Sequence, residues 1–395
     1  MARASTRVAG RHRQYFEVRD ALRQPGCPIC RLCLGAVWRY LDSLAYENVN
    51  DYTVREELRR AWGFCNRHAW QYLDDVRDLL GTAIIYRDII RSHDPTAGRP
   101  GALAPRADCP VCVARDRAAR HAVETLLRYQ DDAEMRDALG ASDGLCTVHA
   151  SQALSVGEDA ARLVPAITAA WAGGRNAVAH AAGEPGLAGT GVGADWEVWP
   201  GAAARELPAC EGCPICAAVD VADACQEDAE DALPCNQHLW ALARLDADAA
   251  AEAARRALAR VAPRLAERAG VRRSSLVDAV LETVGIEPRE ADDRAPFAGL
   301  DCPACRRQRG IEASLAPAAL DQARPLCLPH LRVALGAGGG AGALAPTRRV
   351  WRELEAGLTA YIRSQDYRFR HEPRGAEQQA PRSAVRWIAG EKGVR

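Results

Sequence analysis

Cys27-Pro28-Ile29-Cys30, followed by Cys65-Asn66-Arg67-His68, decides the reading of this chain, because the same two tetrads return three more times. The later copies are Cys109-Pro110-Val111-Cys112 with Cys146-Thr147-Val148-His149, Cys213-Pro214-Ile215-Cys216 with Cys235-Asn236-Gln237-His238, and Cys302-Pro303-Ala304-Cys305 with Cys327-Leu328-Pro329-His330. Each copy supplies three thiols and one imidazole, the donor set of a closed tetrahedral zinc site. One rule thereby accounts for twelve of the 15 cysteines.

A lone CPxC could equally be a redox dithiol, which in thioredoxin-like proteins follows a strand and opens a helix. Here the apolar positions recur mostly at three- and four-residue spacing, and no alternation of strands and helices is legible. Metal sites are therefore favoured over dithiol chemistry and disulfides. Zinc is favoured over an iron-sulfur cluster, since most clusters are held by four thiolates. The expectation is about four zinc ions, each in a closed site whose binding energy goes into folding.

The expected fold is all-α, with four tandem helical modules, each clamped by a Cys3His site at helix N-termini. The modules span 14–94, 102–180, 205–284 and 296–370, with flexible tails at 1–13 and 371–395. Between the half-sites lie 34, 33, 18 and 21 residues, so two long copies precede two short ones across a Gly-rich stretch at 181–201. These short linkers favour pairing of half-sites within a module over pairing between modules.

Module one reads as a helix leaving CPxC and reaching Glu47, a turn at 48–51, and a helix over 53–62 capped by Asp51 or Thr53 and ended by Gly63. A third helix opens at CxxH, with Trp70, Leu73, Val76, Leu80 and Tyr86 on one stripe. Module two reads as helices near 113–130, 131–139 and 147–177, the last interrupted at Pro165. The closing helices of modules three and four run from His238 to Arg256 and on toward Arg268, and from Thr347 to Ser364. In the latter, Trp351, Leu354, Leu358 and Ile362 share one face.

Proline in CPxC suits a tight turn into a helix, since its φ is fixed and it has no N–H to leave unpaired. A thiolate at a helix N-terminus gains from the dipole and the free N–H groups. Cys33, Cys210 and Cys225 remain. Cys33 is expected in the core, and Cys210 offers an alternative CxxC with Cys213, although matching to the other copies selects Cys213 and Cys216. His12, His93, His121, His180 and His371 have no cysteine at ligand spacing and read as ordinary histidines.

Composition bounds the function. A formal net charge of −1 argues against general nucleic-acid binding, and loading four Cys3His sites would take it to roughly −5. No run of about 18 apolar residues and no signal-peptide h-region is present, so a cytoplasmic protein with reduced thiols and no membrane role is expected. No triad pattern, phosphate loop or HExxH helix occurs, so no catalytic residue is assigned.

The aromatic and polar residues of module one, Trp38, Tyr40, Tyr46, Tyr52, Arg55, Trp62 and Trp70 among them, admit two readings. One is a capped helical hairpin; the other is a groove for a protein partner or small ligand. Function is read first as a binding scaffold for a macromolecular partner, most simply a protein. Alternatives are a thiol-based sensor that releases zinc on oxidation, and an enzyme using the module-one cluster.

The stretch Tyr46-Glu47-Asn48-Val49-Asn50-Asp51, with Arg55-Glu56-Glu57-Leu58 and Gly63-Phe64-Cys65-Asn66-Arg67-His68-Ala69-Trp70, resembles an uncharacterised bacterial family whose members carry CPxC…GFCxxH units. The resemblance covers module one and reaches the others only through their tetrads. It implies a bacterial origin and a recurrent Cys/His unit, and brings no activity with it.

Overall fold

A computed structural model describes residues 11–93, 103–156, 162–172, 213, 215–216, 308–315, 323–336 and 341–392. Every regular element among them is helical, as the periodicity requires, and no strand occurs among the described residues. The helices are α1 (Arg13–Leu22), α2 (Pro28–Ser43), α3 (Tyr52–Ala61), α4 (Asn66–Gln71), α5 (Leu79–Ser92), α6 (Pro110–Arg128), α7 (Ala133–Ala141), α8 (Thr147–Val156), α9 (Val164–Ala172), α10 (Leu328–Gly336), α11 (Leu344–Gln365) and α12 (Ala380–Ala389). Residues 308–315 form a further helical stretch.

The described residues fall in two units. One holds those up to Ala36 together with those in Arg115–Glu184; the other holds those in Val37–Ala114, Pro185–Asp228 and Pro303–Arg395.

In the first unit α1 packs on α7, and α7 on α9. Tyr15 is fully buried, stacks edge-on against Tyr129 at 4.9 Å, and donates its hydroxyl to Asp132 at 2.8 Å. Asp132 also caps α7 by accepting from the Met135 N–H. One carboxylate thus starts a helix and fixes the aromatic ring that packs beside it.

In the second unit α5 lies along α11, and α12 packs against both. Trp351, Leu354 and Leu358 face this core, with Ile362 half-buried against it, which is the stripe read from the sequence. Fully burying each such side chain contributes about 2 kcal/mol. Helix α3 is set by its ends: Asp51 accepts from the Val54 N–H, and the chain leaves through Trp62 and Gly63 at φ 60° and 89°.

The structure differs from the sequence reading in two places here. The stripe from Trp70 to Tyr86 is not one helix. A π turn over Tyr72–Val76 follows α4, Arg77 turns at φ 62°, and Asp78 caps a new helix by accepting from the Gly81 N–H. The residues at 371–395, expected as a flexible tail, contain α12, whose Val385, Trp387 and Ile388 are buried in the second unit. Helix α12 carries a strong apolar face, and burying it outweighs the entropy of ordering ten residues.

Candidate metal centres

The tetrads sit where the sequence places them, at helix starts. Cys27, Cys65, Cys109, Cys146 and Cys327 each immediately precede a helix, and each offers its carbonyl to the residue four positions on. The second donor of the tetrad then lies in the first turn, so both point off the same helix end.

What the linkers did not reveal is which half-sites meet. Cys27 and Cys30 close on Cys146 and His149; Cys65 and His68 close on Cys109 and Cys112; Cys213 and Cys216 close on Cys327 and His330. Within each group all four donor atoms lie within 4.8 Å of one another. Pairing within a module is therefore corrected to pairing between modules, and the arrangement is nested: the outer tetrads of two successive copies meet, and so do the inner ones. Each of the first two groups lies in one unit, the first in the first unit and the second in the second, and the third group also belongs to the second unit. Cys235, His238, Cys302 and Cys305, like Cys210, Cys225 and His180, lie outside the described residues.

The edges fit one tetrahedral ion. Metal–sulfur and metal–nitrogen bonds of about 2.3 and 2.0–2.1 Å imply S···S edges of about 3.8 Å and S···N edges of about 3.5 Å. In the first group Cys30 and Cys146 sulfurs are 3.6 Å apart, and His149 Nδ1 lies 3.5, 3.3 and 3.2 Å from Cys27, Cys30 and Cys146. In the second, Cys65 and Cys112 are 3.7 Å apart, with His68 Nδ1 3.2, 3.6 and 3.4 Å from Cys65, Cys109 and Cys112. In the third, Cys216 and Cys327 are 3.6 Å apart, with His330 Nδ1 3.4, 3.3 and 3.2 Å from Cys213, Cys216 and Cys327. A disulfide bond of about 2.05 Å matches none of the sulfur pairs, and the ten described cysteines are all free thiols.

All three imidazoles present Nδ1, which turns Nε2 outward to a different neighbour in at least two cases. His330 Nε2 lies 3.4 Å from the buried Glu312 carboxylate, itself held by Gln308 at 3.3 Å. His149 Nε2 lies 3.9 Å from the Cys33 sulfur, whose S–H also reaches the Arg115 carbonyl at 3.6 Å. A carboxylate behind a ligating histidine fixes the tautomer and raises the basicity of the nitrogen facing the ion.

Without an ion, four such donors can coexist only by sharing protons. Hydrogen bonds to Cys146 and Cys27, with burial added, push the Cys30 thiol well above its ordinary range. Burial also opposes ionisation of Cys27, yet hydrogen bonds from Cys146, Cys30 and His149 hold it well below. The second group splits the same way: Cys109 and Cys112 lower Cys65, whereas Cys112 and Cys65 raise Cys109. A divalent ion held by the four donors would take the place of those protons. Near the third group Arg332 is a largely buried cation, donating to the Leu103 carbonyl at 2.6 Å while its Nη2 makes no hydrogen bond. Burial lowers it to about 10, and the nearby Cys327 thiolate works in the opposite direction. Three thiolates around a divalent ion carry net charge −1, the sign a buried guanidinium needs beside it.

Backbone geometry delivers the CxxH tetrads. Gly63 and Gly144 stand two residues before Cys65 and Cys146 at φ 89° and 74°. A Cβ on Gly144 would lie 2.9 Å from the Ala170 Cβ, and one on Gly63 would lie 3.1 Å from Ile89 Cδ1. In the first group Gly26 N–H donates to Asp143 at 2.7 Å, tying the approaches to the two half-sites together.

Of the module-one cluster, the structure buries some residues and leaves others at the surface. Trp62 and Trp70 are buried, Arg55 pairs with Asp88 at 2.9 Å, and Tyr46 and Tyr52 stand 86 and 75 % exposed. His12, His121 and His371 are exposed, while His93 stacks on Trp62 at 3.9 Å and bonds the Ile89 carbonyl. Sequence reasoning missed Glu312 and Arg332. Their only signal is position, Arg332 two residues after His330 and Glu312 fifteen before Cys327.

Over 73 residues the chain is 39 % identical to an uncharacterised 23.9 kDa protein encoded in the xynA 3′ region of Caldicellulosiruptor sp. (strain Rt8B.4). The match covers 18 % of this chain and 35 % of that protein, so the chain spans about a third of its relative's length. No family model and no solved structure matches. Among the described residues no helix is long and apolar enough to cross a membrane.

Proposed function

We propose that this is a multi-zinc helical scaffold whose metal sites join successive Cys/His copies and whose surface binds a protein partner. The observation that carries the reading is the convergence of three complete Cys3His sets with tetrahedral edge lengths. Four donors saturate one ion and leave no open position for substrate, so the sites serve folding rather than catalysis. Donors divided among the irons of a cluster would be more widely spread than 4.8 Å, which supports a single ion, and the thiolate-rich set suits zinc.

In the sequence Cys235, His238, Cys302 and Cys305 are a fourth set of three thiols and one imidazole, and four ions per chain are the expectation. The exposed Tyr46, in the π turn at Leu44–Asn48, and Tyr52, at the start of α3, are side chains of the kind that anchor protein interfaces, and the net charge of −1 supports protein over nucleic acid. Elemental analysis of the purified chain tests the metal reading: four zinc equivalents are expected, and iron, or fewer than three metals, overturns it.

One observation favours a second reading as a thiol-based sensor. Cys30, Cys65, Cys109 and Cys112 are half-buried, whereas the third group is buried throughout. Mild peroxide, with zinc release followed by a dye, separates the two: inert sites exclude sensing, and rapid reversible release from the first two groups supports it.

A further inference from the structure

Helix α4 is six residues long, too short to persist without tertiary support. Cys65 and His68, at its start, face the second metal group. Its other side grips the C-terminal segment. Asn66 Nδ2 donates to the Ala389 and Glu391 carbonyls at 2.9 and 2.7 Å, and Trp70 Nε1 donates to the Gly390 carbonyl at 3.0 Å. The Ala389 carbonyl is in the last turn of α12, where no helical partner reaches it, and Gly390 and Glu391 are the two residues that follow the helix. Just beyond α4, Asp74, 12 % exposed, pairs with Arg382 and, at 2.7 Å, with Lys392, and the Arg382 guanidinium lies 5.3 Å from the Trp70 ring.

From this geometry we propose that the second metal site controls docking of the C-terminal helix: with the ion bound, α4 is held and clamps residues 389–391, and with the ion gone the clamp opens. The inference rests on the metal reading above and adds a regulated element to it. Metal ligation and peptide clamping share one helical turn, so neither face can be rebuilt without the other. Linkage requires the reverse as well, so a docked C-terminus tightens the second site.

Hydrogen exchange on the zinc-loaded full chain tests this. Cys65→Ser is expected to lose one zinc equivalent together with protection of the 380–392 amides, while Cys30→Ser loses one equivalent and keeps that protection. Retained protection in Cys65→Ser, with the zinc equivalent gone, overturns the proposal. A second arm covers a Cys65→Ser chain that unfolds more widely. Combined Asn66→Ala and Trp70→Phe should still bind the full zinc complement but hold one equivalent about tenfold more weakly in equilibrium chelator competition, within the range of ordinary coupling. Unchanged affinity overturns the proposal, and a wild-type chain without zinc overturns the metal reading instead.

Discussion

The sulfurs of Cys30 and Cys146 lie 3.6 Å apart although 116 residues separate them along the chain. Between them the chain closes a second, shorter loop, Cys65 and Cys112 being 47 residues apart. Successive copies are therefore not beads on a string; each is completed by its neighbour.

Nested pairing gives a crosswise pattern of metal loss. Cys30→Ser and Cys146→Ser should each remove one zinc equivalent, and the double variant should remove the same one. Cys30→Ser combined with Cys65→Ser should remove two. If the double variant within module one lost only one equivalent by native mass spectrometry, pairing would be within modules and the nesting wrong. Since a structural zinc contributes on the order of 10 kcal/mol of apparent binding free energy, each loss should be accompanied by local unfolding.

The glycine before the CxxH of module two gives a test that leaves the ligands alone. At φ 74°, with 2.9 Å to the Ala170 Cβ, Gly144→Ala meets both backbone strain and a clash. A loss of about 2 kcal/mol in chemical denaturation is expected, with weaker zinc retention. Gly140→Ala, in α7 with nothing within 4 Å of the added Cβ, should gain about 0.5 kcal/mol. Equal effects of the two would remove the role assigned to the Gly144 turn.

The helical class, the helix starts and the donor residues of the three described groups were legible in sequence, because ligand chemistry and helix capping act within a few residues. Partnership was not, and the reason is quantitative. Loop-closure entropy grows only with the logarithm of length, so closing 116 residues instead of about 35 costs only about 1 kcal/mol more. Short linkers between Cys30 and Cys65 thus carried little weight against packing. The C-terminal segment was misread for a related reason: the carbonyl grip by Asn66 and Trp70 is a contact across 320 or more residues that no local pattern announces.

Asp132 should make the stability of the first unit depend on pH. Burial alone would raise its carboxyl, but hydrogen bonds from Tyr15, Arg11 and the Met135 N–H hold it below the ordinary 3.8. A depressed carboxylate stabilises the fold above its ordinary pKa, and that contribution is lost as pH falls through the folded value. Wild type should therefore be more stable than Asp132→Asn near neutrality, with the gap narrowing below pH 3.8 in paired thermal melts. A gap that is constant or widens on acidification would show that the carboxylate charge is not the stabilising feature. Asp132→Ala should cost about 1 kcal/mol more, because asparagine preserves the helix cap and alanine does not.

Glu312 offers the sharpest distinction between the metal groups. Its carboxylate stands 3.4 Å behind His330 Nε2, whereas the His149 Nε2 faces the Cys33 sulfur at 3.9 Å. If the carboxylate holds the Nε2–H tautomer, Nδ1 keeps its lone pair for the ion and its basicity rises. Glu312→Gln retains the shape but removes the charge, and should weaken one zinc equivalent by about tenfold, with Glu312→Ala nearer the upper end of a 10–100-fold range. Chelator competition resolves the equivalents, and Cys216→Ser in the same background identifies which has changed, because the weakened equivalent disappears from the titration. Cys33→Ser should leave the number of equivalents unaltered, since Cys33 lies on the side of the His149 ring away from Nδ1. If Glu312→Gln titrates like wild type, the carboxylate is a packing neighbour of His330 and not its orienting partner.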